Sequence, residues 1–146
     1  MNDKPDPLSP IAQPSPSDIH EVAISSALAR DLKAVEEGLT LIQHQYILKS
    51  GKIIDLLCND KQRNYVVIEV KKSPTKEDLN QLLGYMSDLR DEYPQAEIRS
   101  IVMSNSYEED LARKIKLLKG SKIELKYYRL KVLPASEEEI KGVSSS

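Results

Sequence analysis

The sequence predicts an α/β domain, a mixed sheet of about five strands flanked by helices in the order α-β-β-β-α-β-α-β. Three observations predict it. Short runs rich in Val, Ile, Leu and Tyr are bounded by turn residues, as strands are. Longer segments between them repeat apolar residues at the helical interval. One run, Val66-Val67-Ile68, is apolar on successive residues, as expected of a strand covered on both faces.

Asp18 and Glu21 stand in capping-box spacing, and a helix is predicted from Asp18 to about Glu37, stopped by Gly38. Its apolar stripe is Ile24, Leu28, Leu32 and Val35. Residues 39–48 (LTLIQHQYIL) and 52–59 (KIIDLLCN) read as strands around the turn KSGK, and 64–71 (NYVVIEVK) as a third after DKQR. Ser73-Pro74-Thr75 opens a second helix, with Thr75 and Asp78 again in cap-box spacing, that runs to about Arg90. Leu79, Leu82, Leu83, Met86 and Leu89 form its core side. Residues 97–104 are a fourth strand. Ser106 is expected to cap a third helix, acidic in its first turn, basic at its end and finished by Gly120. Residues 122–133 are the last strand. The first three strands suit an antiparallel meander, and the helical crossover after the third permits parallel pairing.

At 146 residues, 40% hydrophobic and 30% charged, the chain suits one domain with a real core. Residues 1–17 carry five prolines and are expected to be extended and disordered; 135–146, acidic and Ser-rich, are expected to be a flexible tail. The folded domain is therefore placed at 18–134. No run of 18 apolar residues exists to span a membrane. The N-terminus lacks the pattern of a signal peptide, and the single cysteine, Cys58, excludes an internal disulfide. The cytoplasm is the expected setting. The net charge of −2 conceals a basic stretch, 113–131, with Arg113, Lys114, Lys116, Lys119, Lys122, Lys126, Arg129 and Lys131 against Glu124 alone. It reads equally as a footprint for a polyanion or as solvated surface.

The unexpected residues are acids inside apolar strands. Burying an ionised carboxylate without a partner costs several kcal/mol, so a strand that keeps one keeps it for a cation. Asp55 interrupts the second strand, and Glu69 lies 14 residues on in the third. The turn between them is short enough for the side chains to meet, and two carboxylates so close call for a hard divalent ion, Mg²⁺ or Mn²⁺. Lys71 shares the sheet face of Glu69, two residues away. E-x-K alone is unspecific: it recurs at Glu124-Leu-Lys126 and Glu139-Ile-Lys141. Only the first copy follows an apolar run and an acid embedded in another strand. Glu21 lies on the apolar stripe of the first helix, as an inward acid or as a capping-box residue. Gln81 and Tyr85, four apart, share one face of the second helix, as site residues or as a surface pair.

Asp55, Glu69-Val70-Lys71 and Gln81-Leu-Leu-Gly-Tyr85 together resemble the PD-(D/E)XK nuclease superfamily, in its RecB-like branch with a Q-x-x-x-Y motif. Over about residues 20 to 130 the chain resembles the C-terminal catalytic domain of the archaeal and bacterial endonuclease NucS. The resemblance implies a restriction-endonuclease-like fold and metal-dependent hydrolysis of DNA phosphodiesters in repair or defence. It implies Asp55, Glu69 and the Val70 carbonyl as metal ligands, Lys71 as the catalytic lysine, Gln81 as its orienter and Tyr85 as support. Glu21 would be the acid of the first helix, with Glu36 a rival. Lys72, Lys76 and the basic stretch would hold the DNA backbone. In the NucS family a preceding domain helps to dimerise the enzyme and grip DNA. None is seen ahead of residue 18, so a homodimer or a protein partner supplying that grip is expected. The residues leave two other readings open: a nuclease fold that binds DNA or protein without cutting, and a structural ion-pair network of Glu69 with Lys71 or Lys72.

Overall fold

In the computed structural model, which describes residues 16–118 and 120–130, the predicted order of elements is present. The elements are α1 (Pro16–Ala29), β1 (Thr40–Ile47), β2 (Ile53–Asn59), β3 (Tyr65–Lys71), α2 (Lys76–Glu92), β4 (Ile98–Ser104), α3 (Glu109–Leu117) and β5 (Ile123–Tyr127). The sheet runs β1-β2-β3-β4-β5. Its first two pairings are antiparallel and its last two parallel, because α2 and α3 return the chain to the same end of the sheet.

Strand alternation in β3 sends Val67 to one face and Val66, Ile68 and Val70 to the other. Val67 packs with Leu82, Tyr85, Met86 and Leu89 of α2. Ile68 and Val70 pack with Leu56, Ile101 and Val35, and Ile24 and Leu28 of α1 close over them. Thus β3 is covered on both sides, as its unbroken apolar run requires.

Five boundaries differ clearly from expectation. The first helix begins at Pro16, so Asp18 lies in its first turn rather than at its cap, and it ends at Ala29 rather than Glu37. Asp31 leaves helical geometry (φ −146°, ψ 63°), and a single 3-10 turn, Leu32–Ala34, follows. That turn still delivers Leu32 and Val35 to the same core as Leu28, which is why the apolar stripe reads through the break. The cap of α3 is Glu108, not Ser106, whose hydroxyl instead donates to Glu108 Oε1 at 2.6 Å. The helix closes at Leu118, ahead of Gly120. β5 stops at Tyr127 because its neighbour β4 stops at Ser104, the residue paired with it. Residues 131–133 of the predicted strand and both predicted tails, apart from the start of α1, lie outside the described residues. The second cap is as expected: Thr75 and Asp78 form a reciprocal capping box, with Pro74 just ahead of it.

Candidate active site

The β2–β3 ladder runs from Asn59↔Tyr65 to Leu56↔Ile68 and stops; the next residues on the two strands are Asp55 and Glu69. There the side chains take over the backbone bonding. The Asp55 N–H donates to Glu69 Oε1 at 3.0 Å, and the Val70 N–H donates to Asp55 Oδ2 at 2.8 Å. The other flank of Asp55 is irregular as well. Gln45 sits between the register pairs His44↔Leu56 and Tyr46↔Ile54 with φ 58°, a left-handed conformation that costs a non-glycine residue about 1–3 kcal/mol. The acid therefore lies where the sheet opens on both sides.

Burial raises the pKa of Asp55, only partly offset by the Val70 N–H and nearby Lys71. Glu69, 6% exposed, is pushed well above the ordinary range, first by burial and then by the charge of Asp55. Both shifts disfavour the fully ionised pair, chiefly because the two acids are buried together.

Lys71 lies two residues beyond Glu69, and with it borders a narrow cleft walled by Pro74, Leu79, Val102 and Leu111. Its ammonium is 3.8 Å from Asp78 Oδ1 and 4.0 Å from Glu21 Oε2. Burial pulls its pKa down, but Glu21, Asp78, Glu69 and Asp55 push it up further, so it stays charged. Glu21 also accepts the Lys72 N–H at 3.4 Å, joining α1 to the end of β3. Tyr85 is buried beneath the pair, and burial followed by the charge of Glu69 raises its pKa. Gln81, one turn earlier, is exposed and has no hydrogen-bond partner among the described residues.

Glu36 is elsewhere. Both of its oxygens bind Arg99, whose Nε also reaches Asp60, at the opposite end of β3. Of the two acids considered for the first helix, only Glu21 comes to Lys71. The basic stretch is divided: Arg113 pairs with Asp110, Lys122 with Glu97 and Lys126 with Glu124. Lys72, Lys76, Lys114, Lys116 and Arg129 are exposed.

Two residues went unnoticed in the sequence. Asp78, read only as a cap residue, divides its oxygens: Oδ2 takes the Thr75 N–H at 2.8 Å while Oδ1 faces Lys71. Its place on the helix, three before Gln81 and seven before Tyr85, was the available signal. His44 helps to hold the pKa of Asp55 down, and its Nε2 lies 3.1 Å from the Oγ of buried Ser25.

The domain family described as the endonuclease NucS C-terminal domain matches residues 20–141. The chain belongs to this family. The NucS of Methanocaldococcus jannaschii is 28% identical over 118 residues, 73% of this chain and 44% of that protein. The NucS of Parafrankia sp. is 36% identical over 72 residues, 49% of this chain and 32% of its own. Among solved structures, a repair endonuclease from Pyrococcus abyssi superposes with a TM-score of 0.63 at 25% identity, covering 82% of this chain and 50% of its own. EndoMS, solved with double-stranded DNA, superposes with a TM-score of 0.64 at 22% identity over 83% of this chain and 48% of its own, a likeness of fold. The chain spans half or less of the length of these relatives. Its sheet and helix order is that of a restriction-endonuclease-like nuclease domain.

Proposed function

We propose that this domain hydrolyses DNA phosphodiester bonds as an Mg²⁺- or Mn²⁺-dependent endonuclease acting in DNA repair or defence in the cytoplasm. The observation that carries the reading is the meeting of Asp55 and Glu69 where the ladder stops, with the Lys71 ammonium beside them. Carboxylates held this close and this dry favour a cation of two charges and oxygen ligands. Asp55, Glu69 and the Val70 carbonyl would hold it. A set of two carboxylates suits Mg²⁺, which keeps several waters and is completed by substrate phosphate. When bound, such an ion polarises the phosphate and acidifies a water.

The chain supplies the rest. Lys71, kept protonated by its acidic neighbours, donates to a phosphate oxygen and steadies the charge that develops there. Glu21 and Asp78 hold that ammonium from two different helices. Tyr85 packs below Glu69 with its hydroxyl protonated. Exposed Gln81 is assigned to the phosphate or to Lys71 itself. Lys72, Lys76 and the exposed cations of α3 hold the backbone, so binding is sensitive to salt. A second copy or a protein partner is assigned the remaining grip on DNA.

The test is a panel of labelled duplex, mismatched, flapped and single-stranded DNA with Mn²⁺, comparing the parent with Glu69→Ala. The parent is expected to cut at least one member, and the variant to lose about a thousand-fold, some 4 kcal/mol of barrier. A parent that cuts none of them, or a variant that cuts at the parental rate, removes the reading.

The alternative reading is a nuclease fold that binds DNA or a protein partner without cutting. Calorimetry with Mn²⁺ on the parent and on Asp55→Ala tests whether the ion binds at this pair, and the cleavage panel then separates a binder from an enzyme.

A further inference from the structure

The parallel strands β3, β4 and β5 all end on the side of the molecule that carries Lys71, and the loops leaving β4 and β5 form a second concavity there. Asn105, Ser106, Tyr107, Tyr127, Tyr128 and Arg129 line a shallow cleft of about 220 Å³, room for one small planar group rather than a whole ligand. Its walls are aromatic. The rings of Tyr107 and Tyr127 lie 5.8 Å apart, tilted by 33°. Tyr107 is 75% exposed and Tyr127 44%, an unusual expenditure of aromatic surface at a loop and a strand end. Arg129 borders the same cleft, is exposed, and has no ion-pair partner among the described residues.

This cleft is tied to the candidate active site by backbone. The Asn105 N–H donates to the carbonyl of Lys71 itself at 3.3 Å, and the Ser106 hydroxyl lies 3.3 Å from that of Ser73. Tyr107 follows Asn105 by two residues, at most about 7 Å of chain. The floor is fixed as well: the Tyr128 N–H bonds the Ser104 carbonyl at 2.9 Å, and its hydroxyl is 2.7 Å from His20 Nε2. A strand of nucleic acid with a phosphate beside Lys71 would bring its neighbouring nucleotides over the tyrosine pair.

We propose that Tyr107, Tyr127 and Arg129 form a stacking subsite that receives one unpaired nucleobase of a DNA strand whose phosphate lies at Lys71. Exposed aromatic faces beside a free guanidinium are what single-stranded DNA uses, because every base offers a π-face and the backbone carries negative charge. A paired base has its faces covered by its neighbours, so the subsite distinguishes unpaired from duplex DNA without reading sequence. The proposal rests on the nuclease reading above, and refines where the substrate lies.

The test measures binding of a fluorescein-labelled oligothymidine, of an abasic strand of the same length and of a blunt duplex, in EDTA so that nothing is cut. The parent is expected to prefer oligothymidine over the abasic strand. Tyr107→Ala should weaken oligothymidine binding by about 5- to 100-fold and leave the duplex unchanged, while Tyr107→Phe, which keeps the ring, binds as the parent does. The same preparations are assayed for cleavage with Mn²⁺. If Tyr107→Ala binds oligothymidine as tightly as the parent, or loses oligothymidine, abasic strand and duplex equally, the stacking subsite is wrong while the nuclease stands on its cleavage. If the parent binds no DNA and cuts none, both fall together.

Discussion

The two ends of β3 each bury an acid, and they treat it in opposite ways. At one end Asp60, 8% exposed, accepts the N–H groups of Gln62 and Asn64 at 3.0 and 2.9 Å, the Asn64 amide at 3.0 Å and Arg99 Nε at 3.0 Å. Burial pushes its pKa up, but Asn64 and Arg99 more than cancel this and hold it below the ordinary value. At the other end Glu69, comparably buried, meets a second acid and is pushed up. Burial is therefore no guide to purpose. Asp60 has every oxygen answered and reads as structure, while Glu69 is left short of positive charge and reads as a place kept for something that arrives.

The largest effect that separates the two ends is on stability. Arg99→Ala strands Asp60 and Glu36 together, and should cost about 3 kcal/mol, toward the lower end of what removing one partner of a buried ion pair costs because Arg99 and Glu36 are partly exposed. Activity per folded molecule should not change, since no member of that cluster reaches Lys71. Urea unfolding and an assay corrected for folded fraction measure the two quantities. A loss of activity without a loss of stability would place Arg99 in the machinery and erase the contrast.

The next prediction sharpens it through pH. Glu69 has a raised folded pKa, so its favourable contribution is complete below the ordinary value of 4.5 and is lost as pH rises through the folded value. Asp60 has a lowered folded pKa, so its contribution is present above 3.8 and lost as pH falls through the folded value. In metal-free buffer at neutral pH, Glu69→Gln should therefore stabilise the domain by about 1–3 kcal/mol. The gain should vanish below about pH 4.5. Saturating Mn²⁺ should stabilise the parent and not the variant. Thermal melts across pH, with and without Mn²⁺, decide it; a Gln variant that is less stable at neutral pH without metal contradicts the account of the pair.

What could be read in advance follows the same division. Asp55 and Glu69 were legible because an acid inside an apolar strand breaks a pattern that costs nothing to keep. The order of helices and strands along the chain was legible because each turn carries its own polar residues. The rivalry between Glu21 and Glu36 was not, because no Gly or Pro marks the end of α1 at Ala29, and the 3-10 turn keeps Leu32 and Val35 facing inward as a continued helix would. The link between Asp78 and Lys71 was hidden for a different reason: capping explains Asp78 fully, and a residue with one sufficient reason prompts no search for a second. Tyr107 and Tyr127 sit 20 positions apart in polar and basic surroundings, and only the parallel pairing of β4 and β5 brings their rings together.

The smallest predicted effect concerns that second duty of Asp78, and two substitutions separate its tasks. Thr75→Ala removes the cap hydroxyl that receives the Asp78 N–H at 3.2 Å, but leaves the carboxylate near Lys71. It should cost about 1 kcal/mol of stability with little change in kcat. Asp78→Asn keeps an oxygen to accept the Thr75 N–H yet withdraws one of the charges that hold up the pKa of Lys71. It should leave stability nearly intact, lower kcat by about five-fold, roughly 1 kcal/mol of barrier, and move the alkaline limb of the pH–rate profile to lower pH. The direction follows from the sign of the lost interaction: an ammonium with fewer acids around it gives up its proton sooner. A merely structural Asp78 would move the melting temperature in both variants and the alkaline limb in neither, so the pH–rate profile, not the rate alone, identifies it as a positioning residue.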